Sequence, residues 1–130
     1  MKHLTPLETF AFLKDNPHAL FIDCRTEMEF FLVGHPVGAQ HIAWQDGPDW
    51  DFNPRFVEDV RALTNGADER PIVLICRSGN RSVDAALALE AAGSIDVINV
   101  LAGFEGELDG NLHRGTSGGW RYDGLPWEQM

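Results

Sequence analysis

The sequence predicts an α/β fold: a mostly parallel central sheet flanked by helices on both faces. Two observations predict it. Short apolar runs at residues 19–22, Ile72–Ile75 and Val97–Val100 read as buried strands. Segments with helical spacing and cap signals separate them, and such alternation is the signature of parallel strands joined by crossover helices. With 130 residues, 44% of them hydrophobic, residues 1–130 are expected to form one domain whose core needs no disulfide or metal.

In chain order, Thr5-Pro6 with Glu8 is a capping box with proline at the first helical position. Leu7, Phe10, Ala11 and Phe12 are expected to form the apolar face of that helix, and Asn16-Pro17 stops it. The strand at residues 19–22 runs into Asp23-Cys24-Arg25. Thr26 with Glu29 is a second capping box, opening a short helical segment that ends at Gly34. Residues 40–43 read as a short strand, and residues 45–52, with Gly47, Pro48 and Trp50, as loop. Asn53-Pro54 starts a helix with Phe56, Val57, Val60 and Leu63 at helical spacing and Asn65-Gly66 as its stop. The strand Ile72–Ile75 leads through a short loop into an alanine-rich helix over residues 82–92, closed by Gly93, and Val97–Val100 is the last clear strand. From Gly103 the chain is glycine-rich and polar, with Trp120, Tyr122 and Trp127 as anchors to the body.

A net charge of −10 disfavours nucleic acid and anionic membrane surfaces as partners. No stretch approaches the length of a membrane span, and the first residues lack the apolar core of a signal peptide, so a reducing cytoplasm is the expected compartment. Two cysteines exclude a disulfide framework and a Cys-x-x-Cys metal cluster. His3, His18 and His41 have no partner at metal-ligand spacing, and no metal or cofactor is expected.

Against this acidic background one segment stands out: Cys76-Arg77-Ser78-Gly79-Asn80-Arg81-Ser82, between a buried strand and a helix N-terminus. Loop N–H groups and the helix end place partial positive charge around the first loop residue. A thiol there is expected to ionise more readily than a free one, and the thiolate is the nucleophile. Arg77 and Arg81 add fixed charge for an anionic substrate. In open sheets of this class, sites form at the carboxyl ends of strands, where Cys76 lies.

Several separated pieces resemble the rhodanese-like family of sulfurtransferases. The loop Cys76 to Ser82 is similar to the active-site loop of its single-domain members. Phe21-Ile22-Asp23-Cys24-Arg25 with Glu29-Phe30 resembles the family's Ile-Asp-Val-Arg and Glu-aromatic element, Cys24 standing where valine is usual. Gly34-His35-Pro36-Val37-Gly38-Ala39 resembles its Gly-His-Ile-x-Gly-Ala turn, with Pro36 for isoleucine. Residues 97–104 and Gly124-Leu125-Pro126 resemble two further elements in the family's order. About a dozen extra residues, roughly 105–118 and including His113 and Arg114, are either a lid or a surface excursion.

The resemblance implies that Cys76 attacks the sulfane sulfur of a small anionic donor such as thiosulfate, expels sulfite, and keeps a persulfide that a thiol or cyanide acceptor then removes. Arg77, Ser78, Gly79, Asn80, Arg81 and Ser82 would bind the donor, Arg77 and Arg81 its anionic end and the loop amides the thiolate and persulfide. Gly79 would supply a torsion a side chain resists. A sulfonate-like dianion suits two arginines better than mercaptopyruvate does. A persulfide carrier serving a protein acceptor shares this chemistry. A phosphatase or arsenate reductase of the same fold is disfavoured, because a Cys-x5-Arg cradle would need arginine where Ser82 stands. A purely recruiting module is disfavoured by the retained cysteine. His35 is expected to brace backbone, and Asp23 with Arg25 to form an ion pair or loop brace. Cys24 is read as a small buried residue, the competing reading being a thiol that resolves the persulfide.

Overall fold

The computed structural model describes residues 1–64 and 70–130. In chain order its elements are β1 (Lys2–Leu4), α1 (Pro6–Asp15), β2 (Leu20–Asp23), β3 (His35–Pro36), β4 (Gln40–His41), β5 (Gln45–Asp46), β6 (Asp51–Phe52), α2 (Phe56–Leu63), β7 (Ile72–Ile75), α3 (Arg81–Ala91), β8 (Val97–Val100) and β9 (Trp127–Glu128). A five-stranded sheet in the order β1-β8-β7-β2-β4 forms the centre, every pair parallel. Side-chain alternation splits the apolar runs between two faces. Ile22, Cys24, Leu74, Cys76 and Val97 join Phe56 and Val60 of α2 and Ala85, Ala86 and Leu89 of α3. Phe21, Val73, Ile75, Ile98 and Val100 pack on the other face with Phe104, Trp120 and the apolar residues of α1. The result is the α/β architecture expected, with helices on both faces.

Both capping boxes are present. Thr5 Oγ1 accepts the Glu8 N–H at 3.1 Å while Glu8 Oε1 accepts the Thr5 N–H at 2.9 Å. Thr26 and Glu29 repeat the pattern at 3.1 and 3.2 Å. The second box opens a wide turn over Glu29–Val33, closed by the Gly34 N–H on the Glu29 carbonyl.

The structure corrects several local expectations. In α1, Leu7 and Ala11 face solvent, and the inward stripe is Pro6, Thr9, Phe10 and Leu13, spaced i, i+3, i+4, i+7. Thr9 is tolerated inside because its hydroxyl donates to the Thr5 carbonyl at 2.8 Å. The expected strand at residues 40–43 contracts to Gln40–His41. The segment expected as loop at residues 45–52 contains the antiparallel pair β5–β6. The edge strand β1, three residues long, had no pattern to reveal it, and it pairs with β8 in the register His3 to Asn99. Tyr122 is exposed and Trp127 partly so, leaving Trp120 as the buried anchor, its Nε1–H donating to the Pro126 carbonyl at 2.8 Å. The helix stop at Asn65-Gly66 lies outside the described residues.

Candidate functional site

Strand β7 delivers Cys76 to the carboxyl edge of the sheet, and the chain curls over it before α3 begins. The sulfur is buried and accepts the Gly79 N–H at 3.1 Å. Gly79 has φ +102°, the torsion expected of it, and that torsion turns its N–H inward. Ser82 Oγ lies 3.2 Å from Cys76 Sγ and donates to Asn99 Oδ1 at 2.5 Å. The turn after β8 supports the loop from below, with the Phe104 N–H on the Cys76 carbonyl at 2.8 Å and the Glu105 N–H on the Arg77 carbonyl at 2.9 Å.

The two arginines expected to act together are placed differently. Arg77 is half-buried, and its Nε–H is buried without a hydrogen-bond partner among the described residues. Arg81 is already committed: its Nη1 and Nη2 donate to the two Glu29 carboxylate oxygens, both at 2.8 Å, and the Trp50 ring lies 5.2 Å from the guanidinium. Arg81, expected to hold a donor's anionic end, is thus paired with a carboxylate of this chain. Its guanidinium fork is matched to a carboxylate and ties the start of α3 to the turn at Glu29. Ser82, also expected to bind the donor, has a buried hydroxyl that faces the cysteine sulfur and Asn99. Ser78 is half-buried in the loop and Asn80 exposed at its end.

Glu29 closes the second capping box and grips Arg81 at once. Burial alone would raise its pKa, but the hydrogen bonds and charge of Arg81 outweigh burial and hold it at about 2. A folded-state value below the unfolded one means the clamp's stabilisation is present above the ordinary carboxylate range and is lost as pH falls through about 2. Urea titrations of the native chain should therefore show stability falling by about 2–3 kcal/mol between about pH 5 and pH 2 from this group. In Glu29→Gln that part of the acid dependence should vanish, and an unchanged profile would refute the assignment.

Asp23 and Arg25 brace the adjoining strand end. Both are fully buried, with Arg25 Nη2 to Asp23 Oδ2 at 2.7 Å and to the Gly34 carbonyl at 2.6 Å. His35 braces backbone as expected, its Nδ1 lying 2.8 Å from the Phe30 carbonyl and its ring stacked on Phe30. Cys24 is fully buried on the same sheet face as Cys76, with its Sγ–H donating to the Ile75 carbonyl at 3.4 Å. Burial, and secondarily the neighbouring Cys76 sulfur, push the Cys24 thiol well above the ordinary cysteine range. That favours its reading as an inert core residue.

The extra segment folds back on itself at the surface. Asp109 Oδ1 accepts the Asn111 and His113 N–H groups and Oδ2 the Thr116 hydroxyl, while Arg114 donates to the Gly106 carbonyl. His113 is exposed, and at the root of the segment the Glu105 and Gly106 N–H groups donate to the Arg77 carbonyl. An open cavity of about 690 Å³ beside Trp50 is lined by Met28, Phe31 and Leu32 rather than by Cys76, so the site is defined by the loop and not by this hollow. Sequence reasoning missed Asn99, Trp50 and His3 as neighbours of the loop. For Asn99 a signal existed, a polar residue inside the apolar run Val97–Val100.

The model of the rhodanese-like domain matches residues 7–107. The crystal structure of Rv0390 from M. tuberculosis is 39% identical with a TM-score of 0.85, covering 100% of this chain and 98% of that one. Thiosulfate sulfurtransferase 16, chloroplastic, from Arabidopsis thaliana is 29% identical over 108 residues, covering 82% of this chain and 77% of that protein. The polysulfide-sulfur transferase of Wolinella succinogenes shares the fold, with a TM-score of 0.63 at 22% identity and coverage of 100% of this chain and 80% of that one. A buried cysteine at a strand end that accepts a loop N–H, together with a family match over most of the length, leads to one conclusion: this chain belongs to the rhodanese-like domain family.

Proposed function

We propose that this chain, acting as one domain over residues 1–130, is a sulfurtransferase that carries sulfane sulfur as a persulfide on Cys76. The carrying observation is the placement of Cys76 Sγ under the Gly79 N–H and against the Ser82 hydroxyl at the start of α3. The Cys76 thiolate attacks the outer sulfur of thiosulfate. A Cys76 S–S bond forms, the donor S–S bond breaks, and its electron pair leaves with sulfite. Cyanide or a thiolate then attacks the outer persulfide sulfur and returns the thiolate of Cys76. The Gly79 N–H already meets Cys76 Sγ, the atom that carries the negative charge before attack and again when the acceptor has taken the outer sulfur. Arg77 meets the donor's sulfonate end, and Arg81, fixed by Glu29, positions the loop.

The name of the Arabidopsis relative supports thiosulfate as a donor, and the retained cysteine favours transfer over simple recruitment. A protein thiol could serve as the acceptor in the same second step. A reducing, cytoplasmic setting suits a mechanism that needs a free thiol, and among the described residues no helix is long and apolar enough to cross a membrane.

The test is the initial rate of thiocyanate formation from thiosulfate and cyanide. Parallel double-reciprocal lines are expected, as for ping-pong transfer, and Cys76→Ser should be inactive; retained activity in that variant would overturn the proposal. In Arg77→Ala, kcat/KM for thiosulfate should fall by about tenfold or more, the loss of one charge-assisted contact of about 1.5–3 kcal/mol. Mercaptopyruvate should be the poorer donor.

A further inference from the structure

A continuous hydrogen-bonded path runs from the cysteine to a surface histidine. Cys76 Sγ lies 3.2 Å from Ser82 Oγ, Ser82 Oγ is 2.5 Å from Asn99 Oδ1, and Asn99 Nδ2 is 3.1 Å from His3 Nδ1. Ser82 and Asn99 are buried, and His3 is exposed at the sheet edge. Donor and acceptor inventories fix the direction of each bond. An amide oxygen only accepts and an amide nitrogen only donates, so Ser82 gives its one proton to Asn99 and Asn99 gives one to His3. Ser82 therefore faces Cys76 with a lone pair, which suits a thiol that donates S–H.

We propose that Asn99, oriented by His3, is a positioning residue that sets which way the Ser82 hydroxyl points and thereby how readily Cys76 becomes a thiolate. This rests on the reading of Cys76 as the nucleophile. A thiolate, and equally a persulfide anion, needs Ser82 to donate toward sulfur. If Ser82 does so while Asn99 stays as it is, two oxygen lone pairs confront each other at 2.5 Å. The conflict is relieved when the Asn99 amide turns over, so that its nitrogen donates to Ser82 and its oxygen faces His3. That arrangement requires the imidazole to present a proton at Nδ1, by tautomer exchange or protonation. In the resting arrangement, His3 accepts and so holds Asn99 in the orientation that withholds the Ser82 proton. The exposed imidazole thus biases the buried thiol through two side chains, with no covalent step.

This predicts coupled effects from neighbouring substitutions. The rate of Cys76 alkylation by iodoacetamide, followed by mass spectrometry at about pH 7 and divided by the rate at about pH 11, reports the ionised fraction free of changes in access. Ser82→Ala removes the hydroxyl that Asn99 and His3 steer, so in that background His3→Ala should no longer change the ratio. Asn99→Leu leaves Ser82 free to donate to sulfur and should raise it. His3→Ala, at an exposed edge position that folding tolerates, should raise it in the same direction by releasing the amide. If His3→Ala lowers the ratio or leaves it unchanged, the inference is overturned, whatever Asn99→Leu does to stability. Alkylation needs no sulfur donor, so this outcome is independent of whether the protein transfers sulfur.

Discussion

Gly103→Ala is expected to destabilise the fold by about 2–5 kcal/mol and to abolish sulfur transfer at once. Gly103 has φ +59°, and a Cβ built on it would stand 2.4 Å from the Cys76 carbonyl oxygen and 2.6 Å from the Arg77 carbonyl carbon. Both obstacles are backbone, so no side chain can swing aside. The only relief is to push the turn away from the cysteine loop, which breaks the bonds from the Phe104 and Glu105 N–H groups to Cys76 and Arg77. The loop would then shift where the Gly79 N–H meets Cys76 Sγ. Gly110→Ala is the control, since nothing lies within 4 Å of its Cβ position. Denaturant midpoints and thiocyanate assays on the two variants should separate them clearly; equal behaviour would show that the turn does not brace the loop.

Arg25→Met should cost about 3–5 kcal/mol, the usual consequence of leaving a buried charge without its partner. Asp23 would keep the Arg25 backbone N–H at 3.1 Å but lose the guanidinium fork, and the Gly34 carbonyl would lose its 2.6 Å bond. The guanidinium also lies 4.5 Å from the Phe104 ring, so its loss loosens the turn that carries Gly103. Asp23→Asn combined with Arg25→Met should recover much of the loss, because both charges are then gone. Urea unfolding of the two single variants and the pair tests this, and strict additivity would show that the ion pair is not the unit of stability.

The sheet and its helices were legible because their signals are local. Apolar runs such as Ile72–Ile75 and the two Thr-Glu capping boxes act within a few residues, and the structure keeps them. The cysteine loop was legible for the same reason, as a strand, a glycine and a helix start in immediate succession. What escaped depends on partners distant in sequence. Arg81 looked like a free cation until Glu29, 52 residues away, was seen to hold it. The three residues of β1 carry no periodicity, yet they bring His3 beside Asn99, 96 residues on. In α1 Phe10 and Phe12 pack inward as expected, while Leu7 and Ala11 turn to solvent and Thr9, whose hydroxyl is satisfied by its own helix, takes the buried place.

The most direct measurement is the intact mass of the protein after incubation with thiosulfate and removal of small molecules. Persulfide chemistry on Cys76 predicts a gain of one sulfur atom, which cyanide removes with release of an equal amount of thiocyanate. The same gain is expected in Cys24→Val and none in Cys76→Ser. An unchanged mass in the native protein, or a sulfur retained in Cys76→Ser, would contradict the account. Rapid loss of the sulfur with formation of a Cys24–Cys76 disulfide would contradict the inert reading of Cys24.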